Sequence, residues 1–414
     1  MKVIHLSKSD RNGGAYIATY RIHQALRKNN IDSFMWVDEK KSDDSTVKGP
    51  KNEIFKNVIA RCKFFLSRLL LKLSGQDGRA FNSLSIFSSN WVKKINESDA
   101  DIINLHWVNR EMLSISDISK IKKPLVWTLH DMWAFCGTEH VAKDTRWIKG
   151  YNNNNRPKSE FIFDIRSWIW QKKKIFWKKP FQIITVSEWL ADCVKKSKLM
   201  HKWPVLTISN TIDTDIWRPL NTKISRKKLN LELDIPILLF GALGGILDQN
   251  KGFDLFCSSL TYLQKNIYTK NLQILVFGQT RPGNTPNLPF PIRFMGHVKS
   301  ELTQNLLYSA VDAMIVPSRI ESFGQTALEA HSCGTPVVAF YTSGLVDIIK
   351  HQETGYLAKA FDLKDLARGI SWVLEHSKNR QLRKNSRERV LKKFSYPIVS
   401  EQYKLIYKKI IKQS

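Results

Sequence analysis

The sequence has no run of 18 apolar residues, the length a helix needs to cross a bilayer, so no membrane-spanning helix is expected. Its five cysteines, Cys62, Cys136, Cys193, Cys257 and Cys333, are scattered and form no C-x-x-C pair. That spacing suits neither a zinc site nor a disulfide framework and points to reduced thiols in the cytosol. The apolar part of MKVIHLSKSD is too short for the core of a signal peptide, so a strand is expected there. No tandem repeat is present. Acid is scarce: 37 Asp and Glu stand against 65 Lys and Arg, a net charge of +28. Such an excess attracts anionic partners (nucleic acid, anionic lipid or a phosphorylated substrate) and has no bearing on fold.

What is present is ample globular material. The chain has 414 residues, 43% of them hydrophobic and 25% charged, enough for two domains with full cores. Thirteen Trp and 21 Phe are many for a nucleic-acid-binding arm and suit a membrane-facing or sugar-binding surface. The most informative stretch is Val316–Phe340, VPSRIESFGQTALEAHSCGTPVVAF. The apolar run Ala313 to Val316 predicts a buried parallel strand, ended by Pro317-Ser318. Glu321, Ser322, Phe323 and Gly324 form a short loop. Gln325 to Cys333 are good helix formers closed by Gly334-Thr335-Pro336, and Val337 to Phe340 predict the next strand. Ligands bind at the carboxyl ends of such strands. The unpaired N–H groups of Gln325 and Thr326 suit a phosphate, and Gly324 permits close backbone approach. A nucleoside diphosphate could lie there, with Glu329 on ribose hydroxyls and Glu321 on a sugar. Taken alone, the carboxylate spacing favours two solvated glutamates in an ordinary strand–helix–strand unit.

The surrounding residues reverse that balance. PSRIESFGQTALEAHSCGTPVVAF resembles the nucleotide-sugar motif of glycosyltransferase family 4, retaining enzymes of the GT-B fold, at Pro317, Ser318, Glu321, Phe323, Gly324, Glu329, Ala330, Gly334, Pro336 and Val337. The resemblance implies that Glu321 contacts the transferred sugar and Glu329 the ribose, with Phe323, Gly324, Gln325 and Thr326 around the donor. Other segments extend it. Gly13-Gly14, between a first strand (Lys2 to Leu6) and a helix (Ala15 to Arg27), would serve equally as a plain turn. The family places a glycine-rich loop there, near the donor phosphates and the acceptor. TLHDMW, ending the strand Pro124 to Leu129, resembles the motif whose histidine approaches the sugar, which gives His130 that role. Lys251-Gly252, ahead of a helix starting near Phe253, resembles the family's diphosphate-binding lysine, a point charge suited to a departing diphosphate. Many relatives carry an Arg six residues earlier, where this chain has Gly245, and Arg319 or Arg281 is a candidate replacement. The resemblance covers nearly the whole chain and is specific in the second half.

Two basic stretches lie outside these motifs. Ile54 to Leu73 places Ile54, Val58, Cys62, Phe65, Leu69 and Leu73 on one helical stripe, with Lys56, Arg61, Lys63, Arg68 and Lys72 supplying charge. It suits either an anionic membrane surface or a core-packed helix with a solvated basic face. Arg156 to Pro180 alternates Trp168, Trp170, Phe176 and Trp177 with Lys172, Lys173, Lys174, Lys178 and Lys179. That pattern suits a bilayer headgroup region, a covered helix face or stacking on single-stranded nucleic acid. Tyr151 to Asn155 is expected to be a mobile polar loop and Thr354 to Leu357 a turn. Asp213-Thr214-Asp215 and Asp99-Ala100-Asp101 are D-x-D triplets in form only. The first fits an interdomain linker, and the second precedes a strand at its amino end.

The resemblance therefore implies a GT-B architecture of two Rossmann-like parallel-sheet domains facing a cleft. Residues 1–212, with a helix 396–414 crossing back, form the acceptor-side domain, and 213–395 the nucleotide-sugar domain. The implied activity is retaining transfer of a hexose from a nucleoside-diphosphate sugar to a glycan or polyprenyl-linked acceptor in cell-surface polysaccharide synthesis, of the exopolysaccharide or O-antigen type. His130, Lys251 and Glu321 would carry the chemistry, with no metal and no cofactor beyond the sugar nucleotide. The expected location is cytoplasmic, peripheral on the inner face of an anionic cell membrane, with no nucleic-acid partner. The rivals are a GT-B sugar-nucleotide epimerase, a basic nucleic-acid-binding protein and a carbohydrate-binding protein without turnover. Against the second, the basic residues spread through both halves and no recognised binding module is present.

Overall fold

The computed structural model describes residues 1–50, 54–75 (54–60 by backbone), 82–158, 163–241, 246, 248–263, 269–283, 287–376 and 380–413. Among them, short apolar runs become strands of two sheets. The first sheet contains β1 (Lys2–Ser9), β2 (Asp32–Glu39), β3 (Val47–Lys48), β4 (Ile102–Leu105), β5 (Leu125–Leu129), β6 (Gln182–Thr185) and β7 (Val205–Thr207), in the order β3-β2-β1-β4-β5-β6-β7. The second contains β8 (Ile237–Gly241), β9 (Gln273–Phe277), β10 (Ile292–Phe294), β11 (Ala313–Val316), β12 (Val337–Phe340) and β13 (Gly355–Ala358), in the order β10-β9-β8-β11-β12-β13. Every strand pairing is parallel. Parallel strands covered on both faces read as continuous apolar runs, and β8, β11 and β12 are buried at every position.

The chain divides into two compact units, Met1–Ser209 with Ser400–Ser414, and Asn210–Val399. In each, the chain builds outward from a first strand and then returns to its other side. The direction reverses between β1 and β4 in the first unit and between β8 and β11 in the second. Parallel sheets bind ligands outside the carboxyl ends of their strands at such a reversal. Helix Tyr396–Gln413 runs from the second unit into the first. Within the first unit its Tyr407 hydroxyl accepts from Asn104 Nδ2 of β4 at 2.6 Å, and Tyr403 lies 3.4 Å from Thr128 of β5.

Two local expectations change. Thr354 to Leu357 is mostly strand. Gly355 lies so close to β12 that a Cβ there would meet the Val337 carbonyl oxygen at 2.0 Å, so glycine is what permits β13 to pair there. Tyr151 to Asn155 is tied down: Tyr151 is buried and donates to Glu139 at 3.0 Å, while Asn152 caps a short 3-10 turn, Asn153–Asn155. The aromatic stretch after it is divided. On helix Ile165–Phe176, Trp168, Ile175 and Phe176 are exposed, whereas Trp170 and the following Trp177 are buried. Lys173 is buried as well, because its ammonium donates to the carbonyls of Trp133, Cys136 and Gly137 and lies over the Trp133 ring. Buried charge persists only with such partners.

Candidate functional site

In the second unit the sequence-predicted groups collect at the reversal point. The loop after β8 carries Lys251 and the loop after β11 carries Glu321. Gly252, at φ 69°, makes the approach possible, since a Cβ there would lie 2.0 Å from the carbonyl oxygen of Pro317. Arg319 N–H donates to Asn250 O at 2.8 Å and fastens the two loops together. Lys251 Nζ then donates to Glu321 Oε2 at 2.7 Å, and Ser318 Oγ reaches the same oxygen at 3.3 Å. Burial works against the Lys251 charge, but the Glu321 carboxylate outweighs it and holds the lysine above its ordinary pKa. Glu321 is fixed by its backbone too: its N–H donates to Ser343 Oγ at 3.0 Å and its carbonyl accepts from Gly344 at 2.8 Å.

Helix Gln325–Ser332 follows, entered through Gly324 at φ 112°. The backbone N–H groups of Gln325 and Thr326 lie at its N-terminus, the positive end of the helix dipole. Glu329 lies on this helix, largely buried, and its Oε2 accepts from the Tyr308 hydroxyl at 2.8 Å. Tyr308 comes from helix Glu301–Ala310, which the sequence reading did not single out. The Phe323 side chain turns into the core and meets Phe394 edge-on at 5.8 Å, so its ring is a packing group. Arg319, considered as a second cation, is engaged by both oxygens of Asp254, at 2.9 and 2.5 Å, and by Gln249 O. Gly245 lies outside the described residues.

In the first unit, His130 follows β5, half-buried. Its Nε2 lies 3.0 Å from His106 Nδ1, and His106 Nε2 lies 2.9 Å from His5 Nδ1. Burial pushes the His130 pKa down to about 4 against the opposing pull of Asp131. Asp131 accepts from Trp107 Nε1 at 2.7 Å and from Trp133 N–H at 2.9 Å, and pairs with His140 at 2.6 Å. Burial alone would raise the Asp131 pKa, but His140 and these donors hold it below the ordinary value. Gly13 and Gly14 open helix Gly14–Lys28 after β1. A Cβ at Gly13 would meet the Tyr16 ring at 2.8 Å, whereas at Gly14 it would find open space. His5, His106, His140 and Tyr308 were not singled out beforehand. Only the order β1-β4-β5, which no local pattern encodes, aligns the first two with His130. Among the described residues no group of three or more His, Cys, Asp or Glu is placed to hold a metal ion.

Comparison with known proteins agrees with this geometry. Residues 222–389 match the family model described as Glycosyl transferases group 1. The chain is 24% identical over 367 residues to the capsular polysaccharide biosynthesis glycosyltransferase CapM of Staphylococcus aureus, covering 78% of this chain and 89% of that protein. It is 28% identical over 250 residues to N,N'-diacetylbacillosaminyl-diphospho-undecaprenol alpha-1,3-N-acetylgalactosaminyltransferase of Campylobacter jejuni, covering 58% of this chain and 63% of that protein. Among solved structures it resembles HepE of Anabaena in complex with UDP and glucose, with TM-score 0.64, 16% identity and coverage of 98% of this chain and 99% of that one. Residues 222–389 thus form a glycosyl transferases group 1 domain, in a chain whose two parallel-sheet units have the GT-B fold.

Proposed function

We propose that this protein transfers a hexose from a nucleoside-diphosphate sugar to a glycan or polyprenyl-linked acceptor in cell-surface polysaccharide synthesis, with retention at the anomeric carbon and without a metal. The observation that carries the reading is the Lys251–Glu321 pair, 2.7 Å apart, set ahead of the N-terminus of helix Gln325–Ser332 at the β8/β11 reversal. As the bond to the sugar breaks, negative charge builds on the diphosphate and positive character on the ring. The Lys251 ammonium and the N–H groups of Gln325 and Thr326 would offset the first. Glu321, already oriented by Ser318 and Ser343, would hold the sugar against the second, and Glu329 would receive the ribose hydroxyls. His130 would donate to a hydroxyl of the transferred sugar. Polymer-forming and polyprenyl-dependent relatives support the acceptor class, and the HepE complex supports the donor class.

The deciding experiment is a transfer assay with a panel of nucleoside-diphosphate hexoses and a polyprenyl-diphosphate-linked acceptor, in EDTA, with product stereochemistry read by NMR. Retained transfer is expected. Activity lost on chelation and restored by Mg²⁺ or Mn²⁺ overturns metal independence. Rearranged or hydrolysed donor without transfer favours the epimerase. Tight RNA binding with no affinity for any sugar nucleotide overturns the reading.

A further inference from the structure

We infer that His5 and His106 are positioning residues that set the proton of His130: a hydrogen-bonded row of three rings holds His130 as its Nδ1–H tautomer, so that it meets a ligand as a donor and not as a base.

The row runs across three adjacent strands. His5 lies within β1, His106 directly after β4 and His130 directly after β5, and these strands are neighbours in the sheet. Successive ring centroids are 5.1 and 5.3 Å apart, and the two links are 2.9 and 3.0 Å long. The main chain at His106 is fixed, because its backbone N–H donates to Leu6 O at 2.9 Å and its carbonyl accepts from Trp127 Nε1 at 3.0 Å. His5 and His106 are buried. The flanking charged and titratable groups are already engaged. His23, 6.1 Å from the His5 ring, has one nitrogen on Ser33 and the other on Thr46. Asp131 is held by Trp107 and His140. Among the described residues no carboxylate hydrogen-bonds to the row, and burial outweighs the pull of Asp131 on His130 and keeps all three rings neutral at neutral pH.

A neutral imidazole carries one N–H. With one proton on His106, the two links can run in only two ways. In the first, His5 Nδ1–H donates to His106 Nε2 and His106 Nδ1–H donates to His130 Nε2. In the second, both are reversed, and His5 must carry its proton on Nε2. That atom is buried and has no hydrogen-bond partner among the described residues, so the second arrangement would strand an N–H without an acceptor there. Orphaned buried N–H groups are the rarer and costlier defect, and a bare ring lone pair is what the first arrangement leaves there instead. The first direction places a hydrogen bond on His130 Nε2 as acceptor and leaves its single proton on Nδ1. A sugar hydroxyl would then accept from His130. The consequence for catalysis rests on the assignment of His130 to the sugar proposed above, whereas the tautomer does not.

The test uses the full chain labelled with ¹⁵N at histidine and long-range ¹H–¹⁵N spectra at neutral pH, with each ring assigned by its loss in a single variant. The wild-type spectrum should show His130 protonated at Nδ1 and bare at Nε2. His5→Phe removes the first donor, while His5→Asn keeps an amide N–H close to the place of Nδ1. His5→Phe should mix the His130 tautomers and lower kcat roughly ten-fold with little change in donor KM, as loss of a supporting contact does. His5→Asn should restore both. A wild-type His130 protonated at Nε2 overturns the inference, as does a His5→Phe protein whose tautomers and kcat both match wild type. If His5→Phe does not fold, the wild-type and His5→Asn spectra decide alone. The spectra need no substrate, so a protein with the expected tautomer and no transfer counts against the proposed function only. One with transfer and the wrong tautomer counts against the row only.

Discussion

At the scale of single residues, the two glutamates of the 321–329 segment are not equivalent. Glu321 is half-exposed, shares the Lys251 ammonium and has an oriented backbone. Glu329 is buried and accepts from Tyr308. Their replacement should therefore separate kinetically. Glu321→Gln keeps size and removes charge where the ring becomes electron-poor, and should lower kcat roughly ten- to a thousand-fold while changing donor affinity less. Glu329→Gln should mainly weaken binding of the free nucleoside diphosphate. Calorimetric titration of both variants, with circular dichroism to check folding, reads the split. Unchanged nucleotide affinity in folded Glu329→Gln removes the ribose assignment. Histidine provides a second outcome at this scale. Burial lowers His23, His130 and His331 from 6.5 to about 4. As pH falls below 6.5 the unfolded chain takes up protons that the native rings refuse. The stability they contribute is thus complete above the unfolded value and is lost as pH falls toward 4, by about 1.4 kcal/mol per unit for each ring. Melting temperature should drop steadily from pH 7 to pH 5, and a flat profile would contradict the buried neutral rings.

At the scale of elements, helix Ile54–Leu73 forms where its 3.6-residue periodicity predicts. Within its described side chains the apolar stripe is not taken into the core: Phe65 is 71% exposed and Leu73 61%, with Leu69 also exposed and Arg61, Arg68 and Lys72 beside them. Among the described residues no helix is long and apolar enough to cross a bilayer. We propose that it lies on an anionic membrane surface with Phe65, Leu69 and Leu73 inserted. Flotation should show binding to vesicles containing anionic lipid, weakened in 1 M salt, where the Debye length is about 3 Å. Phe65→Ser with Leu73→Ser should abolish it without altering nucleotide affinity. Equal and negligible binding to anionic and neutral vesicles would reject this surface. The aromatic stretch on Ile165–Phe176 contributes less than its composition implies, because Trp170, Trp177 and Lys173 are core groups.

At the scale of the whole molecule, residues 400–414 belong with the first unit although they follow the second in sequence. Tyr403 and Tyr407 are fully buried there, against Thr128 and Asn104. Deleting 400–414 should lower the melting temperature of the first unit and leave nucleoside-diphosphate binding to the second intact. Calorimetry with and without nucleotide distinguishes the two transitions, and an unchanged thermogram would show that the helix carries no stability. The sequence by itself determined the apolar runs that became β8, β11 and β12, the helix periodicities and the loop–helix motif with Glu321 and Glu329. These are local properties: the spacing of side chains along a strand or helix decides which face is buried, whatever lies against it. Only the tertiary structure decided which strands are neighbours. That choice brings Lys251 to Glu321 across 70 residues of sequence, Tyr308 to Glu329 across 21, and His5 to His106 across 101. Sheet order and the packing of helices on it are fixed by covering two faces at once, and no local periodicity of the sequence encodes which residues such a contact brings together.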